Sequence, residues 1–350
     1  MKKIFFIFLL ILFINVKATN NSTIVMDVDS GRILYQNNAY ERKLIASTTK
    51  IMTFVVAYEY AKDFLDVYVE AGDEVLKMYG TSIYISYHEK MLLRDLLYGL
   101  MLRSGNDAAV VIANFVGGSE EGFVKLMNKK AKFLGMNNTV FKNPHGLDEV
   151  TQNYSTAYDM ALLSSYASKI PFYKEVTSTK YYNVKTNEKY YSWTNRNKML
   201  FTYPYLATGK TGYTPKAGKT FVSSAIKNGL NLTIVSLNDY NYYETQRILY
   251  EEMFNKYHNK TILTKEEFEK SNKDLYIKSN LIYPLKDNEI DNIQIKVNLN
   301  DNLNYNGEVI ALLNGKEIIK EKVYKKEIIE IDTKDNIFVK IKKIIKNIFE

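Results

Sequence analysis

The sequence predicts an α+β fold divided into more than one domain. Three observations carry this. Helix-spaced apolar residues recur through much of 47–170, and strand signals stand before and after that stretch. After Lys260 the composition changes to short alternating segments punctuated by Asn-Gly pairs. At 350 residues the chain is long enough to bury a full core and to divide.

In chain order, Thr23–Val28 and Arg32–Tyr35 read as two short strands around the hairpin signal Asp29-Ser30-Gly31. A helix is expected to open at Ser47 and to run on through Ile51, Met52, Phe54, Val55 and Val56. Residues 60–170 read as mostly helical, with Arg94–Arg103, Ala108–Phe115, Glu121–Leu134 and Thr156–Ala167 as the clearest segments. Gly105, Gly117-Gly118 and Gly135 punctuate them, and Asn143-Pro144-His145-Gly146 reads as a loop. Residues 177–195 form a Tyr- and Thr-rich strand pair across Thr186-Asn187. Gly209–Gly212 then precedes two strong strands, Lys219–Ile226 and Asn231–Leu237, joined at Lys227-Asn228-Gly229. Tyr243–Tyr257 closes this region as a helix. Beyond it, Asp274–Ile277, Ile293–Val297, Val309–Leu313, Glu317–Val323 and Glu327–Ile331 predict a small β-rich domain, with Asn-Gly at 306–307 and 314–315.

The two ends differ from the body. Residues 1–18 read as a secretory signal: Lys2 and Lys3 are its charged start, Ile4–Ile14 its apolar core, and Val16-Lys17-Ala18 its small-residue cleavage site. In Ile337–Phe349 the residues Ile337, Ile341, Ile344, Ile345 and Ile348 share one helical face, flanked by Lys340, Lys342, Lys343 and Lys346. Such a helix is about 20 Å long, short of the ~30 Å core of a bilayer, and is expected to lie in the interface at a membrane surface. The expected division is thus 1–18 signal, 19–258 main domain, 259–332 β-rich domain and 333–350 amphipathic helix. An exported protein held peripherally on the outer face of the cell membrane follows.

Charge and composition narrow the chemistry. The net charge of +8 is concentrated at the ends, since the first 18 residues carry three Lys and no acid. Residues 333–350 add five Lys against Asp335 and Glu350, which leaves the body only weakly basic. That is not the footprint of a nucleic-acid binder. With no cysteine, disulfides, a Cys nucleophile and Cys-ligated metals are excluded. His88, His145 and His258 stand far apart without metal-ligand spacing, so no metal and no other cofactor is expected.

The chemistry-bearing stretch is Ala46-Ser47-Thr48-Thr49-Lys50. On a helix, Ser47 and Lys50 share a face, so hydroxyl and amine can serve as nucleophile and base without a histidine. A helix start also aims free N–H groups and a positive dipole end at an oxyanion forming there. The pattern alone is weak: 18 Ser and 41 Lys in this chain give about two Ser-x-x-Lys matches by chance. The second match, Ser224/Lys227, falls in a predicted strand, where residues three apart face opposite sides. Two further signals follow the first in order. Ser104-Gly105-Asn106 lies at a glycine-broken turn between helical segments, and Lys210-Thr211-Gly212 lies just ahead of a strand.

The ordered set Ser-x-x-Lys, Ser-x-Asn, Lys-Thr-Gly resembles that of penicillin-binding proteins and serine β-lactamases. The flanking stretches sharpen the resemblance. Leu96-Leu97-Tyr98-Gly99-Leu100, Ser104-Gly105-Asn106-Asp107-Ala108-Ala109, Asn143-Pro144-His145-Gly146-Leu147-Asp148, Thr194-Asn195-Arg196-Asn197 and Lys210-Thr211-Gly212-Tyr213-Thr214 are similar to the low-molecular-mass D-alanyl-D-alanine carboxypeptidases. The similarity covers about residues 22–258 closely and the β-rich domain and tail more loosely. Thr48, where Leu or Met is more usual, and His88, where Gly is usual, are departures that touch no catalytic position.

The resemblance implies a penicillin-binding, serine β-lactamase-like domain: an antiparallel sheet with flanking helices and a helical subdomain. It implies a serine-type, penicillin-sensitive D-Ala-D-Ala carboxypeptidase acting on peptidoglycan pentapeptides, with β-lactams as covalent inhibitors. Ser47 would be the nucleophile, Lys50 its base, and Ser104 the relay toward the leaving amine. Asn106 would hold Lys50 and the substrate amide, while Lys210 and Thr211 would bind the terminal carboxylate. Gly212 would let the substrate backbone approach, and the N–H groups of Ser47 and Tyr213 would form the oxyanion hole. For Lys50 to act as a base its pKa must fall by roughly 3 units from ~10.4, which burial and the Lys210 cation would supply.

Two other readings stand beside this one. A class A-like serine β-lactamase shares the acylation step but needs a glutamate-held water for deacylation, and Glu149 and Asn153 are spaced like such a pair. A catalytically silent wall-binding protein would need none of the three motifs. His145 reads as a loop-packing residue, and Asn195 and Asn197 as residues that pin a loop.

Overall fold

The computed structural model describes residues 20–300 and 306–326. The signal segment expected at 1–18, the strand expected at Glu327–Ile331 and the helix expected within 333–350 lie outside the described residues. The chain divides after Tyr257 into two units.

The first unit is built on a five-stranded antiparallel sheet. Its strands are β1 (Ser22–Asp27), β2 (Ile33–Asn37), β3 (Leu206–Thr214), β4 (Gly218–Lys227) and β5 (Leu230–Leu237). Their order across the sheet is β2-β1-β5-β4-β3, so β3 has a free edge. β4 and β5 turn at Asn228 and Gly229, both with positive φ, as a tight hairpin demands.

Strand alternation sorts the two faces. Val222 of β4 joins one large apolar core with α1 (Lys50–Ala61), α2 (Leu93–Tyr98), α3 (Asn106–Gly117), α4 (Glu120–Phe133) and α5 (Ala157–Ala167). Phe221 and Ala225 join a second core with Leu249, Tyr250 and Met253 of α6 (Tyr242–Lys256) on the opposite face. α1 is buried almost all round, from Ile51 to Ala57, which explains its continuous apolar sequence.

Several local expectations are corrected. The chain at Ser47 is not yet α-helical: Ala46–Thr49 is a 3-10 turn and the α-helix begins at Lys50. Lys210-Thr211-Gly212 lies inside β3 rather than ahead of a strand, because Thr211 and Gly212 continue the pairing with Phe221 and Thr220. Within 60–170, Tyr68–Glu70 pairs with Lys90–Leu92, a hairpin whose long connection hid it from periodicity. Pro171–Ser178, a helix opened by proline at its first position, was not anticipated.

The second unit contains a four-stranded antiparallel sheet of β6 (Leu275–Ile277), β7 (Ile293–Leu299), β8 (Gly307–Leu313) and β9 (Lys316–Lys325), in the order β6-β9-β8-β7. Its own core includes Phe268, Ile277, Leu281, Val309, Ala311 and Val323. Asn314 and Gly315, both at positive φ, make the β8–β9 turn. A strand pair, His258–Leu263 with Leu281–Leu285, and a helix over Lys265–Ser271 complete it. That helix was missed although Thr264 and Glu267 form a capping box at its start.

Candidate active site

Ser47 sits on the 3-10 turn and is half-buried, its hydroxyl open to a cavity of about 640 Å³. The backbone is bent to put it there. Ala46, just ahead, adopts a left-handed φ of 46°, sparsely populated for a residue with a Cβ. Gly146 presses on that bend: a Cβ at Gly146 would lie 2.0 Å from the Ala46 carbonyl oxygen. The loop carrying Gly146 is pinned to α1. Thr53 donates to the Pro144 carbonyl at 2.5 Å, and Asn153 Nδ2 donates to Thr49 Oγ1 at 3.0 Å and to the Asn143 carbonyl at 3.0 Å.

Lys50 lies one turn further on and is fully buried. Its Nζ is 3.1 Å from Ser47 Oγ, 2.8 Å from Asn106 Oδ1 and 2.6 Å from the His145 carbonyl oxygen. The Asn106 amide is oriented by its Nδ2, which donates to the Tyr79 carbonyl at 2.7 Å. Asn106 Oδ1 and the His145 carbonyl only accept. A neutral amine has two N–H bonds and one lone pair. With both hydrogens given to those acceptors, the lone pair faces the Ser47 hydroxyl.

The electrostatics favour that neutral form. Burial first, then the Lys210 charge, with a smaller push from Arg196, holds the Lys50 pKa well below its ordinary value, against the opposing pull of Asp107. Asp107 is itself engaged, accepting from the backbone N–H groups of Ile83, Ile85 and Ala108.

Ser104 ends a π-helical turn over Gly99–Arg103 and has a left-handed φ of 64°. A second strained residue thus stands at the cleft, as expected where geometry is set by surroundings rather than by local preference. Lys210 Nζ donates to Ser104 Oγ at 3.0 Å and to the Thr211 carbonyl at 2.7 Å. Burial, then Arg196, pushes the Lys210 pKa down to about 7. An anion arriving beside it would restore the charged form.

Gly212 carries β3 across the nucleophile. A Cβ there would come within 2.8 Å of the Ser47 backbone nitrogen and 2.5 Å of Thr220 Oγ1, so only glycine permits this approach. Thr211, Gly212 and Tyr213 line the same cavity as Ser47 and Ser104, and the Tyr213 ring is exposed. Ser47, Lys50, Ser104, Asn106, Lys210, Thr211, Gly212 and Tyr213 therefore converge from three separate stretches. Among the described residues no cluster of acidic or histidine side chains has the arrangement of a metal site.

Two contributors escaped the sequence reading. His145 supplies its main-chain carbonyl to Lys50, a role no side-chain pattern reveals. Its imidazole accepts from Leu147 N at 3.1 Å, and burial, then Lys50, pushes its pKa down to about 3, which removes it as a base at neutral pH. Arg196 lines the cavity and donates to Thr81 Oγ1 at 3.3 Å; its stretch carried only a resemblance. Asn195, by contrast, pins its loop through the Thr177 and Thr179 carbonyls. Glu149 is exposed, and the Asn153 side chain is spent on Thr49, Asn143 and Lys142, so the two do not form a water-holding pair at Ser47.

Comparison with known proteins gives consistent matches. A family model described as D-alanyl-D-alanine carboxypeptidase matches residues 14–241. The D-alanyl-D-alanine carboxypeptidase DacF of Bacillus subtilis is 38% identical over 219 residues, 61% of this chain and 56% of that one. DacA of Escherichia coli is 35% identical over 228 residues, 60% of this chain and 54% of its own. The chain thus spans little more than half the length of these relatives. Among solved structures, penicillin-binding protein 5 of Haemophilus influenzae superposes with a TM-score of 0.73 at 26% identity, covering 87% of this chain and 95% of that one. A D-alanyl-D-alanine carboxypeptidase of Mycobacterium tuberculosis gives 0.63 at 30% identity, covering 67% and 90%.

Proposed function

This chain belongs to the D-alanyl-D-alanine carboxypeptidase family, and we propose that it is a serine-type D-Ala-D-Ala carboxypeptidase acting on peptidoglycan stem peptides. One observation carries the reading: the buried Lys50 Nζ lies 3.1 Å from Ser47 Oγ, with Asn106 Oδ1 and the His145 carbonyl, which can only accept, as its other polar partners.

In the proposed reaction Ser47 Oγ attacks the carbonyl of the penultimate D-alanine while Lys50 takes the hydroxyl proton. The oxyanion is held by the backbone N–H groups of Ser47 and Tyr213; the close pass of Gly212 over the Ser47 nitrogen supports this pairing. The C–N bond then breaks, and the proton returns to the leaving amine through Ser104. Free D-alanine departs and Ser47 is left as an ester, which water hydrolyses. Lys210, Thr211 and Arg196 receive the terminal carboxylate, and that requirement makes the enzyme an exopeptidase. β-Lactams would acylate Ser47 in the same way. Labelled penicillin should mark Ser47 and leave Ser47→Ala unmarked, and the purified protein should release D-alanine from a muropeptide. Label persisting on Ser47→Ala would defeat the assignment.

The proposed setting is the outer face of the cell membrane. The sequence pattern of 1–18 supports export, and the basic amphipathic pattern of 333–350 supports peripheral attachment. No helix among the described residues is long and apolar enough to cross a membrane. Deleting 333–350 should move the protein from membrane to soluble fractions with its activity on a short D-Ala-D-Ala peptide retained. Equal membrane recovery of both forms would reject the anchor.

A further inference from the structure

The base and the oxyanion site of this cleft stand on different supports. Lys50 is held by the loop that carries His145 and Gly146, and that loop is pinned to α1 through Thr53 and to the turn beneath it through Thr49. The Tyr213 N–H belongs to the last part of β3, an edge strand. Pairing with β4 sets the register of β3. The distance from its end to Ser47 is left to contacts made across the cleft.

One such contact is the bond from Lys210 to Ser104. Further along β3 the link runs through Asp148. Thr214, the last residue of β3, donates its hydroxyl hydrogen to Asp148 Oδ2, and both residues are buried. Thr214 Oγ1 also accepts from Ala217 N at 3.0 Å, which closes the turn into β4. A threonine hydroxyl has a single hydrogen to give, and a carboxylate is the stronger kind of acceptor for it. From the same turn, Lys216 Nζ donates to the Asp148 main-chain carbonyl at 3.0 Å.

Asp148 follows His145 by three residues and Gly146 by two. It therefore joins the loop that supports the base to the strand that supports the oxyanion. Tyr213 immediately precedes Thr214, so a shift of Thr214 is felt at the Tyr213 N–H. The charges that move the Lys50 pKa are those of Lys210, Asp107 and Arg196. Loss of Asp148 leaves the base as it was.

We propose that Asp148 is a positioning residue for the oxyanion site: through Thr214 its carboxylate holds the end of β3 at the spacing that sets the Tyr213 N–H over Ser47. It acts through Thr214 and the strand, not on the reacting atoms. The proposal rests on the carboxypeptidase reading and deepens it.

The test measures penicillin acylation of Ser47 and D-alanine release from N-acetyl-L-lysyl-D-Ala-D-Ala on the full chain. Asp148→Ala and Thr214→Val should each slow acylation by about 10- to 100-fold, the scale of a misplaced oxyanion donor. Formation and hydrolysis of the ester both pass through an oxyanion at this site, so kcat should fall while KM stays within about twofold. The rising limb of acylation against pH should not move. The double variant should be no slower than the slower single variant, because both remove one link. Asp148→Asn keeps an acceptor and Thr214→Ser keeps the hydroxyl, so each should recover most of the rate. Where Asp148→Ala fails to fold, Thr214→Val against Thr214→Ser makes the same comparison. Thr214→Val at the wild-type rate, losses that multiply in the double variant, or a limb that shifts with pH overturns the positioning role alone. No labelling together with no D-alanine from the wild type overturns the carboxypeptidase reading beneath.

Discussion

Ser47/Lys50 and Ser224/Lys227 are the same residue types at the same spacing, and the fold gives them opposite fates. At the start of α1, Lys50 curls back to within 3.1 Å of Ser47. On β4, Ser224 points into the core and shares a hydrogen bond with Thr208 Oγ1 at 2.7 Å. Lys227 instead pairs with Glu251 at 3.0 Å and lies 4.7 Å from the Tyr205 ring centre. A spacing of three makes neighbours only on a helix. At Lys50, burial first and the Lys210 charge second push the amine toward its neutral form. The motif is therefore half of the chemistry, and its surroundings are the other half.

The largest effect should separate the two lysines outright. Lys50→Ala is expected to slow penicillin acylation of Ser47 by about 10²–10⁴-fold, the range for loss of a general base. Lys227→Ala should leave that rate unchanged; an equal loss in both variants would break the distinction.

Lys210→Met sharpens it next. Removing this cation raises the Lys50 pKa, so the rising limb of acylation against pH should move to higher pH. The same change should help the fold. A lysine whose folded pKa is about 7 against an ordinary 10.5 binds fewer protons folded than unfolded between those values. Its presence therefore costs stability fully below about pH 7, and the cost fades as pH rises toward 10.5. Relative to wild type, Lys210→Met should gain on the order of 1–4 kcal/mol at neutral pH in denaturant unfolding, shrinking at alkaline pH. A difference independent of pH would contradict the buried, weakened ammonium.

A smaller shift in the same direction is expected for Arg196→Met. It lowers both lysines from further out, so the acylation limb should move to higher pH by less than in Lys210→Met. Movement to lower pH would reverse the assigned sign. The least effect belongs to the second pair: Lys227→Met should cost under about 1 kcal/mol, since a partly exposed ion pair contributes little. Glu149→Gln, at an exposed residue outside the lining of the Ser47 cavity, should leave the lifetime of the acyl-enzyme unchanged; a longer lifetime would restore the lactamase alternative.

Much of the site was legible because its chemistry sits in side chains at fixed spacing. Ser47, Lys50, Ser104, Asn106 and Lys210 could be named before any fold was known. What stayed hidden is main-chain or conformational: the His145 carbonyl, the left-handed Ala46 and Ser104, and the 3-10 turn under Ser47. Backbone groups carry no residue-specific mark, and a strained φ is imposed by neighbours such as Gly146. Strand β3 was misjudged because Gly209 and Gly212 read as loop, whereas they are needed where Asn197 and the Ser47 turn press against the strand.

By itself, the sequence determined which groups are available: a hydroxyl and an amine one helical turn apart, a glycine able to pass close to a backbone, and a cation 160 residues downstream of Lys50. It also determined, through periodicity, that α1 would be buried and that β4 and β5 would pair. Only the tertiary structure decided that Lys50 meets Asn106 and the His145 carbonyl rather than solvent, and that its amine is pushed toward the neutral form. The physical reason is range. Local sequence governs contacts within a turn, while the desolvation and charge that set a pKa come from residues 56, 95 and 160 positions away, brought there by the packing of the whole unit.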